Sequence, residues 1–157
     1  MKPRGLALIE LLVVLAVAGL VTGLAVRTGP LGGRLALRAA AAELVGQLRG
    51  AQARALGERE PDRAHGLEFP AAGDRYVLFV RSGGVRATVR THHLPPQVRI
   101  TYARFGGSPR MVMFTGVSLL GAPSGGGTVT LASGAARLCV RVLPATGRVR
   151  VAAAGCP

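Results

Sequence analysis

A long apolar run near the N-terminus, Leu6–Val26, is the feature that most constrains what this chain can form. As an α-helix it would extend about 30 Å, which is the thickness of a bilayer's hydrocarbon core. The run holds one charged side chain, Glu10, and a carboxylate at that depth costs roughly 2.5 kcal/mol or more. No basic side chain lies between Arg4 and Arg27. We therefore predict a membrane-spanning helix whose Glu10 takes a cationic partner from outside the run.

The first ten residues resemble the type IV prepilin (class III) signal, in which a short basic leader ends in glycine. Here the leader ends at Gly5, and Glu10 is the fifth residue counted from Leu6. The resemblance implies that prepilin peptidase cleaves after Gly5 and that Leu6 becomes an N-methylated N-terminus. It also implies that the apolar run anchors the protein in the inner membrane and later forms the helical core of a filament. There Glu10 would neutralise the N-terminal amine of a neighbouring subunit, which supplies the cation that its burial requires.

Two other interpretations of the apolar run are a Sec signal peptide and an ordinary single-span anchor. Ala16–Ala18 fits the small-x-small cleavage pattern of a signal peptide. The apolar core of that signal would then contain Glu10, and the run would continue beyond the cut, which favours the prepilin interpretation. Major pilins often carry a helix-kinking proline within this segment, whereas Pro30 follows it here. We therefore expect a break at Gly29–Gly33.

The remaining residues suffice for one small α+β domain with a single core. Apolar residues at three- and four-residue spacings predict a helix over residues 34–58, and from Ala64 onward a period of two predicts a series of short strands. The expected helix stripe is Leu37, Ala41, Leu44, Val45, Leu48, Gln52 and Leu56. The expected strands lie in residues 65–69, 75–81, 85–91, 98–103, 111–114, 128–131, 137–143 and 148–151, with Arg104–Arg110 as a loop. The chain thus divides into a leader (1–5), a transmembrane and assembly helix (6–28), an amphipathic helix (29–63) and an antiparallel β domain (64–157).

The chain is strongly basic, with 20 Lys and Arg against 7 Asp and Glu. Lys2 is the single lysine, and cleavage after Gly5 would leave eighteen basic and seven acidic side chains. A domain with this balance is expected to meet polyanions or anionic surfaces. Arginine-rich codon usage in a GC-rich genome is the alternative. It explains arginine in place of lysine better than it explains the shortage of acids.

The two cysteines, Cys139 and Cys156, are predicted to form a disulfide that ties the C-terminal tail to a strand. The anchor would place the domain in the periplasm, where disulfides persist; two free thiols are the alternative. The sequence carries none of the common motifs for metal binding or nucleophilic catalysis. His92 and His93 are adjacent, so on a strand they point to opposite faces, and a surface or turn position is expected for them. We therefore predict no enzyme activity, no metal and no cofactor.

The C-terminal half resembles the GspH/FimT family of minor pilins and pseudopilins. The resemblance is carried by GGTVTL at Gly126–Leu131, RLCVRV at Arg137–Val142 and TGRVR at Thr146–Arg150. It implies a type IV pilin-like fold with a long N-terminal helix packed on an antiparallel β-sheet domain. GspH-type members belong to the tip of type II secretion pseudopili, and FimT-type members to type IV pili. Some FimT-type members bind DNA in natural transformation through a Gly-Arg-x-Arg motif, which Gly147–Arg150 matches position by position.

Strand alternation in the same segment predicts an arginine-rich hairpin. Arg137, Cys139 and Arg141 share one face, and Val149 and Val151 point to the core, which turns Arg148 and Arg150 outward. A loop at Pro144–Gly147 would set Arg141 opposite Arg150. Like charges directly opposite each other are destabilising, and guanidinium groups suit phosphate oxygens. This pattern therefore indicates an anion partner, although an ordinary solvated strand face would show it too.

Together these patterns predict a minor type IV pilin that joins other pilins or pseudopilins. It would sit in the inner membrane with its C-terminal domain in the periplasm, and become extracellular in the filament. Arg137, Arg141, Gly147, Arg148 and Arg150 are the expected contacts to double-stranded DNA during uptake. The competing hypothesis is a purely structural tip subunit of a type II secretion pseudopilus. A third hypothesis is a basic domain docked on anionic lipid or polysaccharide.

Overall fold

The computed structural model describes residues 10–20, 30–58, 60–106, 108–117 and 123–157. Residues 10–20 form helix α1, whose apolar side chains are exposed, as Leu20 is at 69%. Glu10 is the first described residue of α1 and is exposed, whereas the predicted cleavage site at Gly5 and Leu6 lies outside the described residues. No helix within the described ranges is both long enough and apolar enough to span a membrane.

Helix α2 runs from Pro30 to Glu58. It begins four residues earlier than the spacing of apolar residues predicts, so the expected break is wrong for residues 30–33. Proline is well placed there because the first turn of a helix does not use its N–H groups, and its fixed φ suits the helix. The helix ends where the sequence predicts, and Arg63 already begins the first strand.

The buried face of α2 is lined by leucine and alanine. Its buried members are Leu37, Ala40, Ala41, Leu44, Leu48, Ala51 and Ala55. Four of these belong to the predicted stripe, whereas Val45, Gln52 and Leu56 are only half-buried. Alanine leaves room for strand backbones to approach the helix, which contacts two strands of one sheet and three strands of the other. One helix face therefore covers strands of both sheets described next.

Eight strands occur in the described residues and form two antiparallel sheets. They are β1 (Arg63–Glu68), β2 (Arg75–Ser82), β3 (Val85–His93), β4 (Arg99–Phe105), β5 (Met111–Thr115), β6 (Gly127–Ser133), β7 (Ala136–Val142) and β8 (Val149–Ala152). Sheet A has the order β3-β2-β1-β5, and sheet B has the order β4-β6-β7-β8. The predicted α+β class, with a helix packed on antiparallel strands, is confirmed, and the division of the strands into two sheets is a feature that the sequence does not predict. Short strands with alternating patterns do not reveal which of them pair.

The two sheets share one core. Phe69, just after β1, stacks on Phe105 at the end of β4 with ring centroids 5.7 Å apart. Val98, Val112 and Leu131 fill the same cluster. Every buried side chain of the described residues lies between Leu37 and Val149. Residues 30–157 therefore contain a complete core of their own, independent of α1.

Candidate nucleic-acid interface

The hairpin of β7 and β8 has the predicted register. Arg141 lies opposite Arg150, and Val142 lies opposite Val149. The connecting loop is closed by a hydrogen bond from the Gly147 N–H to the Leu143 carbonyl, at 2.9 Å. Gly147 has φ +65°, a left-handed conformation that glycine adopts at no steric cost. The glycine of the Gly-Arg-x-Arg segment therefore shapes the turn that presents Arg148 and Arg150.

All four predicted arginines are exposed, and in the described part of the chain none of them forms an ion pair with a carboxylate. They are Arg137, Arg141, Arg148 and Arg150. The side chains of β8 depart from the prediction at one position. Val149 is buried, but Val151 is 48% exposed, so its predicted core position is wrong. Because β8 is the edge strand of sheet B, core packing ends at Val149.

The C-terminal tail folds back over the outer face of sheet B. Cys139 is fully buried and forms the predicted disulfide with Cys156, with Cα atoms 5.5 Å apart. Thr130, directly opposite Cys139 on β6, donates a hydrogen bond from Oγ1 to the Pro157 carbonyl at 3.4 Å. The tail therefore covers the middle of this face and leaves the arginines around it exposed.

Strand pairing adds two arginines that the hairpin pattern alone does not include. Arg104 on β4 lies opposite Thr128 on β6, which lies opposite Arg141 on β7, which lies opposite Arg150 on β8. Neighbouring strands are about 4.8 Å apart, so this row spans roughly 14 Å. Arg99, opposite Ala132, points to the same side. We call the outward side of sheet B with its hairpin the basic face; its arginines are Arg99, Arg104, Arg137, Arg141, Arg148 and Arg150.

The sequence predicts that Arg104 begins a loop, and so does not place it on a strand of the basic face. The Gly and Pro residues after it favour a loop from Arg104 onward, but β4 continues to Phe105. A bulge between Ile100 and Tyr102 also shifts the alternation. Tyr102 therefore points outward opposite Thr130, on the side of the sheet away from Ile100. The bulge depends on pairing with β6, which lies more than twenty residues further along the chain.

Charge is segregated along the chain, and this signal is readable from the sequence. Asp74 is the last acidic residue, and residues 75–157 hold eleven arginines and no Asp or Glu. Those arginines are Arg75, Arg81, Arg86, Arg90, Arg99, Arg104, Arg110, Arg137, Arg141, Arg148 and Arg150. Sheet B, which starts at Arg99, therefore contains no carboxylate that could neutralise the basic face.

The acids of the domain belong to the opposite part of the fold, where several pair with bases. Glu58, at the end of α2, lies 2.7 Å from His65 Nε2 and 3.0 Å from Arg63 Nε. The hydrogen bond with His65 lowers the pKa of Glu58, and the charges of His65, Arg63 and Arg54 add to the effect. Glu68 pairs with Arg86 on β3. These contacts join α2 to β1 and β1 to β3 across sheet A, so they are structural.

His92 takes part in a second polar cluster. Its ring stacks on Tyr76 with centroids 5.1 Å apart, and its Nδ1 lies 2.9 Å from Glu43 Oε1. Burial raises the pKa of Tyr76, and the nearby Glu43 carboxylate raises it further. With its side chain 12% exposed, His92 is not at the predicted surface position, whereas His93 is exposed. The described residues contain no group of three or more His, Cys, Asp or Glu side chains that could hold a metal ion.

The chain is similar in structure to FimU, a type IV minor pilin of Pseudomonas aeruginosa strain PAO1, in two crystal forms. With the P65 form the TM-score is 0.56 at 19% identity, covering 74% of this chain and 92% of FimU. With the P21 form it is 0.58 at 19% identity, covering 78% and 92%. No protein-family model and no curated protein matches the sequence. The structural likeness shows that this chain has a type IV pilin-like fold.

Proposed function

We propose that this protein is a minor type IV pilin that binds double-stranded DNA, without sequence specificity, through the basic face. The observation that carries the proposal is the row in which Arg104, Arg141 and Arg150 line up across four strands of a sheet without acids. Arg137 and Arg148 extend this row on the same hairpin. The function would be DNA uptake in natural transformation.

Assembly into a filament is supported by the fold and by the N-terminal sequence together. The type IV pilin-like fold places a helix, α2, at the start of the domain, and the apolar run precedes that helix. Prepilin peptidase would cleave after Gly5 and methylate Leu6, and Glu10 would pair with the N-terminal amine of a neighbouring pilin. The subunit would wait in the inner membrane with its domain in the periplasm. This is a structural and binding role, and we propose no enzymatic one.

The pair of arginines at positions 141 and 150 favours phosphate binding but disfavours folding. Arg141 and Arg150 are direct cross-strand partners, and like charges so placed destabilise a sheet. A phosphate between them would convert that repulsion into two attractions, since planar guanidinium groups bind phosphate oxygens in a bidentate manner. Phosphate contacts fix the position of a protein on DNA but do not read bases. The arrangement therefore predicts affinity without sequence preference.

The size of the basic face matches several phosphates of one duplex. The transverse row spans roughly 14 Å, and Arg137 and Arg141, four residue steps apart on β7, are separated by about 13 Å along the strand. Duplex DNA carries one charge per about 1.7 Å of axis, so phosphate density does not limit the contacts. Four neutralised phosphates would give a log–log salt slope of about −3.6.

The deciding experiment measures binding of the oxidised domain, residues 30–157, to a short random-sequence duplex over a series of salt concentrations. Arg148→Ala/Arg150→Ala should bind more weakly, with a salt slope shallower by about 1.8. The matched control is Arg81→Ala/Arg90→Ala, which removes the same charge from exposed positions on sheet A. It should retain most of the affinity.

A second pair of variants separates guanidinium recognition from generic charge. Arg148→Lys/Arg150→Lys keeps the net charge but loses the bidentate geometry, so we expect intermediate affinity. If wild type and both alanine variants bind alike, or only at very low salt, the arginines act as generic charge. The structural tip subunit of a secretion pseudopilus would then be the better assignment.

A further inference from the structure

A second basic site lies beside the first half of α2 and borders the basic face at Arg137. It is a cleft of about 250 Å³ between α2 and the start of β7. Its lining consists of Arg34, Leu37, Arg38, Ala136, Arg137 and Leu138. Half of these side chains are cationic and half are apolar, and no carboxylate is among them. This composition fits an anionic group that is attached to an apolar one.

The position of the cleft in the chain indicates where such a ligand would come from. Arg34 follows the end of the apolar run, Val26, by eight residues. Eight residues span at most about 28 Å when extended, and about 12 Å as a helix. If the run spans the membrane, as the proposed function requires, the cleft is tethered close to the headgroup layer, which is several ångströms thick.

We propose that this cleft binds the phosphate headgroup of an anionic phospholipid in the membrane that anchors the subunit. Arg34 and Arg38 lie one helical turn apart on α2, and Arg137 faces them from β7, so guanidinium groups approach the phosphate from two elements. Ala136 and Leu138, which are only half-buried, would contact the glycerol and the first methylenes of the acyl chains. Bound in this way, the domain would sit on the membrane in one orientation before it enters a filament.

The test is co-sedimentation of the oxidised domain, residues 30–157, with vesicles of phosphatidylcholine alone or mixed with phosphatidylglycerol. Each basic residue near an anionic surface contributes roughly a fivefold factor in binding. Arg34→Ala/Arg38→Ala should therefore bind the mixed vesicles about 25-fold more weakly. Both arginines are exposed on a helix, where alanine is the best helix former, so the variant should fold.

Two double variants with the same change in charge serve as controls, Arg81→Ala/Arg90→Ala and Arg148→Ala/Arg150→Ala. Both should keep most of the binding to mixed vesicles, since their arginines lie outside the cleft. An equal loss in all three variants would overturn the proposal, because the attraction would then depend on net charge alone. Titration with glycerol 3-phosphate separates a membrane ligand from a free one. If glycerol 3-phosphate binds as tightly as the mixed vesicles do, the ligand of the cleft is a soluble phosphate and the proposal is overturned.

The same variants distinguish lipid binding at the cleft from DNA binding at the basic face. Arg34→Ala/Arg38→Ala should retain its affinity for duplex DNA, whereas Arg148→Ala/Arg150→Ala should lose it. If Arg34→Ala/Arg38→Ala loses vesicle binding but Arg148→Ala/Arg150→Ala keeps its DNA affinity, the cleft binds lipid and the proposed DNA binding is wrong. If Arg148→Ala/Arg150→Ala loses DNA affinity but Arg34→Ala/Arg38→Ala keeps its vesicle binding, the lipid proposal is wrong and DNA binding by the basic face is supported. Arg137 borders both sites and is left unchanged in every variant.

Discussion

Arg141 and Arg150 lie directly opposite each other on β7 and β8, and Arg141 Nη2 donates a hydrogen bond to the Gly155 carbonyl at 2.5 Å. The carbonyl belongs to the tail that the disulfide of Cys139 and Cys156 holds against the sheet. One arginine of a repelling pair is therefore oriented by the tail, while Arg150 is exposed on the edge strand. The C-terminal tail, which belongs to neither strand, therefore helps to hold Arg141 in place beside Arg150.

Replacing Arg150 should raise stability and lower DNA affinity at once. Arg150→Gln removes the like-charge contact with Arg141, so we expect the free energy of unfolding to rise by about 0.2–0.5 kcal/mol. The gain should shrink at high salt because screening already weakens the repulsion. Urea denaturation at two salt concentrations measures it. Arg99→Gln is the control, since Arg99 faces Ala132 and its replacement should show no salt-dependent gain.

Breaking the disulfide should weaken both the fold and the basic face. The two cysteines are 17 residues apart, and a loop of about that length is worth roughly 3 kcal/mol in the chain-entropy model. We expect Cys139→Ala/Cys156→Ala to lose up to about that amount in urea denaturation. DNA affinity should also fall, because Gly155 would no longer orient Arg141. Unchanged affinity in the folded variant would show that the tail does not position that arginine.

The glycines of the GGTVTL segment are required by packing. A Cβ at Gly127 would lie within 3.0 Å of the Arg104 carbonyl and the Phe105 ring, and one at Gly126 would meet Pro144. Gly127→Ala should therefore destabilise the domain by about 1–3 kcal/mol and disturb β4, where Arg104 lies. Gly46→Ala on α2 is the contrasting variant, since its Cβ would contact nothing within 4 Å. It should stabilise by up to about 1 kcal/mol. Thermal melts of the two variants should move in opposite directions.

The sequence predicts local features well because they depend on neighbours in the chain. The end of α2 and the pairing of Arg141 with Arg150 follow from spacing and alternation over short distances, and the disulfide follows from the presence of two cysteines in the chain. The division into two sheets does not, because it depends on which strands pair across long separations. Arg104 illustrates the difference, since its place on the basic face requires the pairing of β4 with β6. The bulge that turns Tyr102 outward belongs to that same pairing.

One feature that strand patterns do not reveal, the uneven distribution of acidic residues, can still be read from the sequence of the whole chain. The absence of acids after Asp74 separates a mixed-charge part, comprising α2 and β1, from a purely cationic part. Strand-by-strand alternation does not show this segregation, because it indicates which residues share a face and not how charge is distributed along the chain. The segregation is what leaves sheet B without an Asp or Glu side chain, so that every charged side chain of the basic face is an arginine.

Acid should weaken the contact between α2 and β1 through Glu58. The hydrogen bond with His65 lowers the pKa of Glu58 in the folded state, so folding favours its ionised form. The stabilisation is complete at a pH above the unfolded value, about 4.3, and is lost as the pH falls through the lower folded value. Glu58→Gln should therefore be less stable than the parent at neutral pH, and the difference should narrow below about pH 4. Glu60→Gln is the control and should change stability less, since among the described residues the one ion pair of Glu60 is with Arg63, at 3.7 Å. Parallel stability curves for parent and Glu58→Gln from neutral pH down to about pH 3 would show that Glu58 does not titrate with folding.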